Sequence, residues 1–391
     1  MTFVVGTLGD DRADRVTLTQ ARSIAERFPG ARVVRDDEPA AADARRVVYG
    51  GPHTNAFTRD AGLPFELGPG RLALGGEVLE GPDLRIITVV PADVSLDGAP
   101  RPSFLLYAGT VASGSDVIEI NAVTHGGDPI LVADTFGKRA TGRWVRDPDG
   151  SIRAELGPLA RRIGWRDVPR EVAGGVVRLR FPDMVPAAGD EAALVEGCLV
   201  GVRRSADALG VTAFAPIDVY VYPDRRSKQS LTGEPGAGHA VVAARALHVL
   251  ATPSDLIAGL LAHEATHVLA VDAWGLAGMP LLGEGLAVWA SGRYGDTPLA
   301  DLTIPEAERP ALASLVGWGF RMVPERIGYT FAGHLVAAAI ELAGVDAVRD
   351  HLYGATPSTW PDALKAAGLD TQTLEREVAR RTSPRHPESD K

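Results

Sequence analysis

The sequence predicts a two-domain chain, in which an α/β domain precedes an α+β domain. Its 391 residues are too many for one typical core and comfortable for two. Strand-like segments alternate with helix-like segments over residues 1–155, which is typical of an α/β domain with a partly parallel sheet. Residues 172–381 combine a few strand-like segments with long apolar helix-like segments, which favours an α+β domain.

The elements of the N-terminal domain follow from hydrophobic spacing and turn residues. A helix is predicted at Gln20–Phe28, and Asp147–Gly150 is typical of a hairpin turn. A strand from Arg46 runs into the tight loop Gly50–Asn55, and the next element opens at Asn55 and Ala56. Further strands are predicted at Leu84–Val90, Ser103–Gly109, Val117–Ile120, Ile130–Ala133, Arg143–Val145 and Ile152–Ala154.

The loop Gly50–Asn55 (G-G-P-H-T-N) weakly resembles part of an accessory domain appended to some bacterial hydrolases. That resemblance implies no activity. The loop has neither a G-x-G-x-x-G pattern nor a P-loop lysine, so no nucleotide site is predicted. His53 and His125 have no partners at ligand spacing and are predicted to be ordinary loop or surface residues.

In the C-terminal domain, strands are predicted at Gly175–Phe181 and Ile217–Tyr222, with one or two more within His239–Leu250. Apolar residues at helical spacing predict a helix over Glu191–Leu209. Residues 156–171 are predicted to be a linker or a short helix, and the polar tail 382–391 to be disordered.

Composition excludes several classes of protein. The formal net charge is −10 and no basic stripe is present, which argues against nucleic-acid binding. The single cysteine, Cys198, excludes an intramolecular disulfide and is predicted to be a core residue. The sequence contains no apolar run of 18 residues, so no membrane span is predicted. The start lacks a signal peptide, which predicts a cytoplasmic protein, although a secreted protein trimmed of its signal would look the same. The sequence does not indicate an oligomeric state.

The segment from Leu260 to Leu269 contains the pattern H-E-x-x-H in an apolar, helix-forming run. Residues four apart lie on one face of a helix, so His263 and His267 can reach one metal ion. Glu264 lies beside them and can exchange a proton. The pattern therefore predicts a zinc-dependent hydrolase.

The alternative is a core helix with two hydrogen-bonded histidines and an unrelated glutamate. Three ionisable groups within five residues of a buried helix are costly without a shared partner, which favours the metal site. A capping-box-like start at Thr252–Asp255, with Pro253 as the first helical residue, supports the helix itself.

A catalytic zinc ion takes three protein ligands and keeps one open position. The metzincin pattern would need a glycine and a histidine where this chain has Ala270 and Ala273. Glu284 is instead the candidate, separated from His267 by sixteen intervening residues, in an otherwise apolar helix after Pro280. Its alternative role is a glutamate near a helix start, favoured by the helix dipole.

H-E-x-x-H followed by G-E-G-L-A-x-W resembles the gluzincin (peptidase MA-like) metallopeptidases, related to aminopeptidase N and thermolysin. The resemblance covers roughly residues 172–381. It implies a gluzincin-like α+β domain, in which a mixed sheet edge accompanies a helical H-E-x-x-H core. It also implies one zinc ion held by His263, His267 and Glu284, with Glu264 as general base, acting on a peptide or protein substrate.

In aminopeptidase-N-like relatives, a tyrosine on a later helix stabilises the oxyanion. Tyr329 begins a similar segment and is the candidate for this role. The alternative, equally consistent with the sequence, is that Tyr329 is an aromatic residue at a helix start that packs on the core. His334 is a weaker alternative donor and is otherwise a core histidine.

The family's last strand before the metal helix pairs with substrate, and the resemblance places it near Arg245–Val249, where His248 lines the cleft or is half-buried. The G-x-M-E-N segment that binds a free substrate amine in aminopeptidases is absent, which favours an endopeptidase or a narrow-specificity enzyme. Arg225, Arg226 and Lys228 are predicted in a solvated loop that could alternatively recognise acidic substrate groups.

Two hypotheses about function follow. The first is an active zinc peptidase with an accessory N-terminal domain. The second is a non-catalytic, zinc-containing binding module with the same fold. The intact Glu264 favours the first, because a module without turnover has no need of a general base.

Overall fold

The computed structural model describes residues 1–9, 11–38, 45–81, 83–94, 100–101, 103–110, 130–160, 162–183 and 191–383. The predicted strand Val117–Ile120, His125 and the tail beyond residue 383 lie outside the described residues.

An eight-stranded, partly parallel sheet forms the N-terminal domain, with the order β13-β12-β11-β7-β10-β3-β1-β2. Strands β1, β2, β3 and β10 pair with one another in parallel. The pairs from β10 through β7, β11 and β12 to β13 are antiparallel. These strands are β1 (Thr2–Val5), β2 (Arg32–Arg35), β3 (Arg46–Tyr49), β7 (Arg85–Val90), β10 (Phe104–Gly109), β11 (Ile130–Asp134), β12 (Gly137–Arg146) and β13 (Ile152–Leu156). The predicted strands within this described part are confirmed.

Among its described residues, this domain also has two smaller sheets and two helices. The smaller sheets are β4 (Glu66–Gly68), β5 (Arg71–Leu74) and β6 (Glu77–Glu80), and β8 (Asp93–Val94) with β9 (Pro100–Arg101). Helix α1 spans Asp11–Ala25, whereas the sequence predicted Gln20–Phe28, and α2 is Ala56–Ala61. The prediction started too late because the first half of α1 is mostly polar and even its buried face includes the polar residue Thr17.

The predicted linker, 156–171, is partly wrong, because its second half forms strand β14 (Trp165–Val172). It pairs antiparallel with β15 (Gly175–Pro182) along its whole length. As a sheet edge, β14 tolerates the proline and the charged side chains that made this segment resemble a linker.

The second sheet has the order β14-β15-β16-β18-β17, in which β16 is Ile217–Tyr222, β17 is Gly238–Val241 and β18 is Ala246–Leu250. The predicted edge strand, Arg245–Val249, is wrong, because β18 is interior and β17 forms the edge. A 3₁₀ turn at Val242–Ala244 and a left-handed Arg245 (φ 52°) reverse the chain, so β17 folds back onto β18.

Helices pack on both faces of this sheet and continue on one side into a helical core. They are α3 (Glu191–Leu209), α4 (Arg225–Thr232), α5 (Ser254–Ala273), α6 (Pro280–Ser291), α7 (Leu312–Leu315), α8 (Glu325–Ala343), α9 (Val345–Ala347), α10 (Trp360–Ala366) and α11 (Thr371–Thr382). A short hairpin, β19 (Arg293–Tyr294) with β20 (Thr297–Pro298), follows α6. Cys198 is buried on α3, as predicted.

Helix α5 lies at the centre of this core. Its start differs from the prediction: Pro253 is the N-cap residue, the helix begins at Ser254, and no side chain caps it. Because proline offers no side-chain acceptor, the first turn lacks the predicted capping box. In the described part of the chain, α5 alone is long and apolar enough by itself to cross a membrane, and 67% of that window is buried inside the protein. The pair Glu325–Ala343 and Val345–Leu352 passes the same test only together and is bent by 120°.

Candidate metal centre

The H-E-x-x-H segment lies within α5, so both histidines project from one face of the helix. The imidazole rings of His263 and His267 have centroids 5.1 Å apart. Their side chains are 15% and 20% exposed, so both remain partly accessible to solvent while most of α5 is buried. The helix therefore presents two nitrogen donors side by side.

Glu284 comes to this pair from α6, which starts with Pro280 at its first turn. Its Oε2 atom lies 3.4 Å from Nε2 of His263 and 3.4 Å from Nε2 of His267. Ligands about 2.05 Å from a tetrahedral zinc ion are separated from one another by roughly 3.3 Å. The donor atoms, all within 4.8 Å of one another, therefore fit a single zinc ion by both chemistry and spacing.

The electrostatics of Glu284 suit an anionic ligand. Burial acts to raise the pKa of this carboxyl, but the neighbouring His267 and His263 outweigh burial and hold the pKa well below its ordinary range. Glu284 is therefore ionised at neutral pH.

Glu264 lies between α5 and the edge strand and is 7% exposed. A Cβ atom at Gly238 of β17 would lie 2.8 Å from Oε1 of Glu264, so the carboxylate packs directly against the strand. Burial raises the pKa of Glu264, while His263 and His267 partly offset the rise. The raised pKa makes this carboxylate a stronger base than an exposed glutamate.

Tyr329 lies on α8 beside the histidine pair. Its ring centroid is 6.0 Å from that of His263, and Phe320 packs on its other side at 5.8 Å. Burial raises the pKa of Tyr329 far above its usual value, so the hydroxyl keeps its proton and can donate a hydrogen bond. The structure therefore brings this tyrosine to the same cleft as the three donors.

A second tyrosine near the cleft was missed from the sequence. The ring of Tyr294 packs against that of Tyr329, with centroids 5.0 Å and planes 37° apart, and its hydroxyl donates to Oε1 of Glu325 at 2.7 Å. Glu325 begins α8, so this bond ties the two-residue strand β19 to the start of the helix that carries Tyr329. The only sequence signal was an aromatic residue soon after the end of α6.

Both weaker histidine candidates lie in the core. His334 is 3% exposed and its Nε2 bonds to the carbonyl of Leu302, so it is a core residue. His248 is fully buried on β18, and the prediction that it lines the cleft or is half-buried is wrong. Its side chain lies on the sheet face away from α5, because it belongs to the row of Tyr220 rather than the row of Leu247. His53 lies in the loop after β3, as predicted.

The predicted solvated loop at Arg225–Lys228 is instead the first turn of α4. Arg225 and Arg226 are exposed, but Lys228 is fully buried and its Nζ donates to the carbonyl of Glu234 at 3.1 Å. Burial lowers the pKa of Lys228 to about 8. The prediction failed because this helix has only eight residues, nearly all of them polar, so its sequence resembles a solvated loop.

No family model matches this sequence, and no curated protein matches it. Among solved structures, the chain is similar to the M1 zinc metallopeptidase from Deinococcus radiodurans, with 16% identity, 64% of this chain covered and a TM-score of 0.33. A mutant of that enzyme bound to a Tyr-Ser-Ala substrate has 15% identity, 64% of this chain covered and a TM-score of 0.32. A two-domain M1 zinc metallopeptidase mutant bound to L-arginine has 15% identity, 64% of this chain covered and a TM-score of 0.31. The match spans 62%, 63% and 62% of the length of these three chains.

Proposed function

We propose that this protein is a zinc-dependent peptidase that hydrolyses peptide bonds as an endopeptidase or a narrow-specificity peptidase. One observation carries the proposal. Two imidazole nitrogens and one carboxylate oxygen converge at the spacing of three zinc ligands, with a second, buried glutamate adjacent to one of the histidines. This combination is the minimum that metal-assisted hydrolysis needs.

His263, His267 and Glu284 would hold one zinc ion, and three protein ligands are the number that a catalytic zinc site uses. When bound, zinc supplies a Lewis acid that polarises the scissile carbonyl and makes a water molecule acidic near neutral pH. Glu264 takes the proton from the attacking water and returns it to the leaving amine. Burial of Glu264 supports this role, because its raised proton affinity brings it closer to the working pH.

We propose that the absence of a side chain at Gly238 makes room for the carboxylate of Glu264. A Gly238→Ala variant is expected to displace this carboxylate, because the added Cβ would approach Oε1 of Glu264 and Cδ1 of Leu260 to 2.8 Å each. We expect kcat to fall by up to about 100-fold with unchanged zinc content, since small misplacements of reacting groups are costly. Gly236→Ala is the control, because its Cβ would meet only the carbonyl oxygen of Gly238, at 3.3 Å. An unchanged kcat for Gly238→Ala would contradict this role.

Tyr329 is proposed to donate its hydroxyl proton in a hydrogen bond to the oxyanion of the tetrahedral intermediate. Tyr329→Phe is expected to lower kcat by about 100- to 1,000-fold, the usual cost of one oxyanion donor. Zinc content and thermal unfolding should match wild type. Tyr107→Phe, in the N-terminal sheet, controls for loss of a buried tyrosine hydroxyl. Equal kcat values for the two variants would remove Tyr329 from the mechanism.

The edge strand β17 is proposed to bind the substrate backbone. It terminates the second sheet as described, so its outer edge can pair with an extended peptide by strand addition. Glu264 lies directly beneath Gly238, which would bring a bound peptide close to the general base. The missing G-x-M-E-N segment supports cleavage that does not depend on a free amino terminus.

The test is cleavage of a peptide library by zinc-loaded protein, with products identified by mass spectrometry. Internal cleavage by wild type and none by Glu264→Gln is the expected result. Blocking the peptide amino termini should leave the rate unchanged if the enzyme is an endopeptidase. Zinc-loaded wild type that cleaves no peptide would overturn the proposed function.

A further inference from the structure

We propose that a turn of the N-terminal sheet, residues Asp134–Gly137, positions the edge strand β17 and thereby sets how well substrate binds. This inference rests on the proposed function for its kinetic consequence, but the positioning itself is independent of it. The turn joins β11 to β12 and packs on the second sheet, on the face opposite α5.

Two side chains of the turn contact the second sheet. The ring of Phe136 lies edge-on to Tyr220 and His248, with centroids 4.8 and 5.6 Å away. The hydroxyl of Thr135 forms a hydrogen bond of 3.2 Å with Nε2 of His248. Both contacts meet on His248, in the strand next to the edge.

His248 is held from both ring nitrogens. Its Nδ1 bonds to the hydroxyl of Tyr222 at 2.8 Å, and Thr135 occupies Nε2. The side chain is fully buried, and burial holds its pKa well below the ordinary value, so the ring is neutral. A neutral imidazole bonded at both nitrogens has one fixed plane.

That plane supports the edge strand. His239 of β17 lies directly opposite His248, and the two rings stack with centroids 4.6 Å apart and planes 2° apart. Tyr220 stacks on the other side of His248 at 4.8 Å, which makes a row of three rings across three strands. Strand β17 is only four residues long and half-buried, so this stack adds to its pairing with β18 in holding it.

The opposite face of the same strand meets Glu264. Side chains alternate along a strand, so Gly238 faces α5 while His239 faces the ring stack. A shift of His239 therefore moves the backbone that packs against the candidate general base and that would pair with substrate.

The turn itself is rigid enough to act as a support. The carboxylate of Asp134 accepts two hydrogen bonds from Arg162, at 2.6 and 3.0 Å, and one from the amide of Phe136 at 2.8 Å. Gly137 has φ +83°, and a Cβ there would lie 2.8 Å from the carbonyl oxygen of Thr232, so the turn closely approaches the end of α4.

A contact that served only to dock the two sheets would need apolar surface and no buried polar bond. The hydroxyl–imidazole bond adds little net stability and leaves a costly unsatisfied group if one partner is removed. What it does supply is a fixed orientation of one ring. We therefore assign Thr135 as a positioning residue for β17.

The experiment compares Thr135→Val with Thr135→Ser in the full chain, using two readouts. For Thr135→Val, we expect KM for a cleaved peptide to rise about three- to tenfold, the factor that loss of one buried hydrogen bond gives. Its kcat should change by less than about twofold, because pairing with β17 would bind the substrate and the transition state equally. Amide hydrogen exchange of residues 238–241 should become faster. Thr135→Ser keeps the hydroxyl and should restore both readouts.

Thr88→Val is the matched control, because Thr88 is a buried threonine of the same sheet whose hydroxyl accepts from Nε1 of Trp144 at 2.9 Å. It removes a comparable bond without touching His248. Equal exchange at 238–241 in Thr135→Val and Thr88→Val would overturn the inference, even if no peptide is cleaved by any variant. If Thr135→Val does not fold, Phe136→Leu is judged by the same readouts and the same criteria.

Discussion

Glu264→Gln is expected to abolish peptide hydrolysis while the protein keeps its zinc and its fold. Glutamine has the shape of glutamate but cannot accept the proton of the attacking water. Loss of a general base costs about 100- to 10,000-fold in rate. The site leaves little room for a substitute, because Glu264 is 7% exposed and packs against Gly238. The measurement is kcat/KM on a cleaved peptide, with zinc content determined on the same preparations.

Glu196→Gln is the control for this experiment, since Glu196 is an exposed glutamate on α3. It should cleave at the wild-type rate. Equal cleavage by wild type and Glu264→Gln would exclude Glu264 as the base. Zinc-bound wild type without any hydrolysis would instead favour the non-catalytic binding module.

Glu284→Gln is expected to weaken zinc binding and, with it, to abolish activity. The substitution removes the anionic donor and leaves two neutral imidazoles, which alone make an incomplete site. We expect the loss of affinity to exceed the roughly 10- to 100-fold that removal of a ligand's hydrogen-bond partner costs. The measurement is competition for zinc against a chelator of known affinity, followed by activity at saturating zinc.

Glu341→Gln provides the comparison, because Glu341 is an exposed carboxylate on α8 that pairs with Arg381. Its zinc affinity should equal that of wild type. Stoichiometric zinc bound with unchanged affinity by Glu284→Gln would exclude Glu284 as a ligand and leave the third donor to be found elsewhere. The two variants have opposite signatures, because Glu264→Gln should lose turnover but keep zinc.

Local sequence determines the features that depend on short spacing. Residues four apart on a helix share a face, so the convergence of His263 and His267 could be predicted from five letters. The proline that starts α6 and the short separation between the two helices similarly placed Glu284 within reach. Six strands of the first sheet were predictable because their apolar runs are bounded by turn residues, whereas β1 and β2 were not predicted.

Contacts between residues far apart in the chain decided features of the fold that short sequence spacing could not predict. Nothing in the composition of 238–250 indicates that the chain reverses at Arg245 and makes β17, rather than β18, the edge. Trp165–Val172 has the composition of a linker and becomes a strand because β15 is available to pair with it. Tyr294 reaches Tyr329 because it lies in the short hairpin of β19 and β20, which packs beside α8.

By itself, then, the sequence determined that two histidines share one helix face with a glutamate adjacent, and it predicted a third ligand, because a helix converts four-residue spacing into proximity. Only the tertiary structure decided how closely Glu284 approaches both histidines, which strand borders Glu264, and that Thr135 of the other sheet holds the ring stack behind that strand. Those distances depend on how separate elements pack, and packing is set by side chains far apart in the chain.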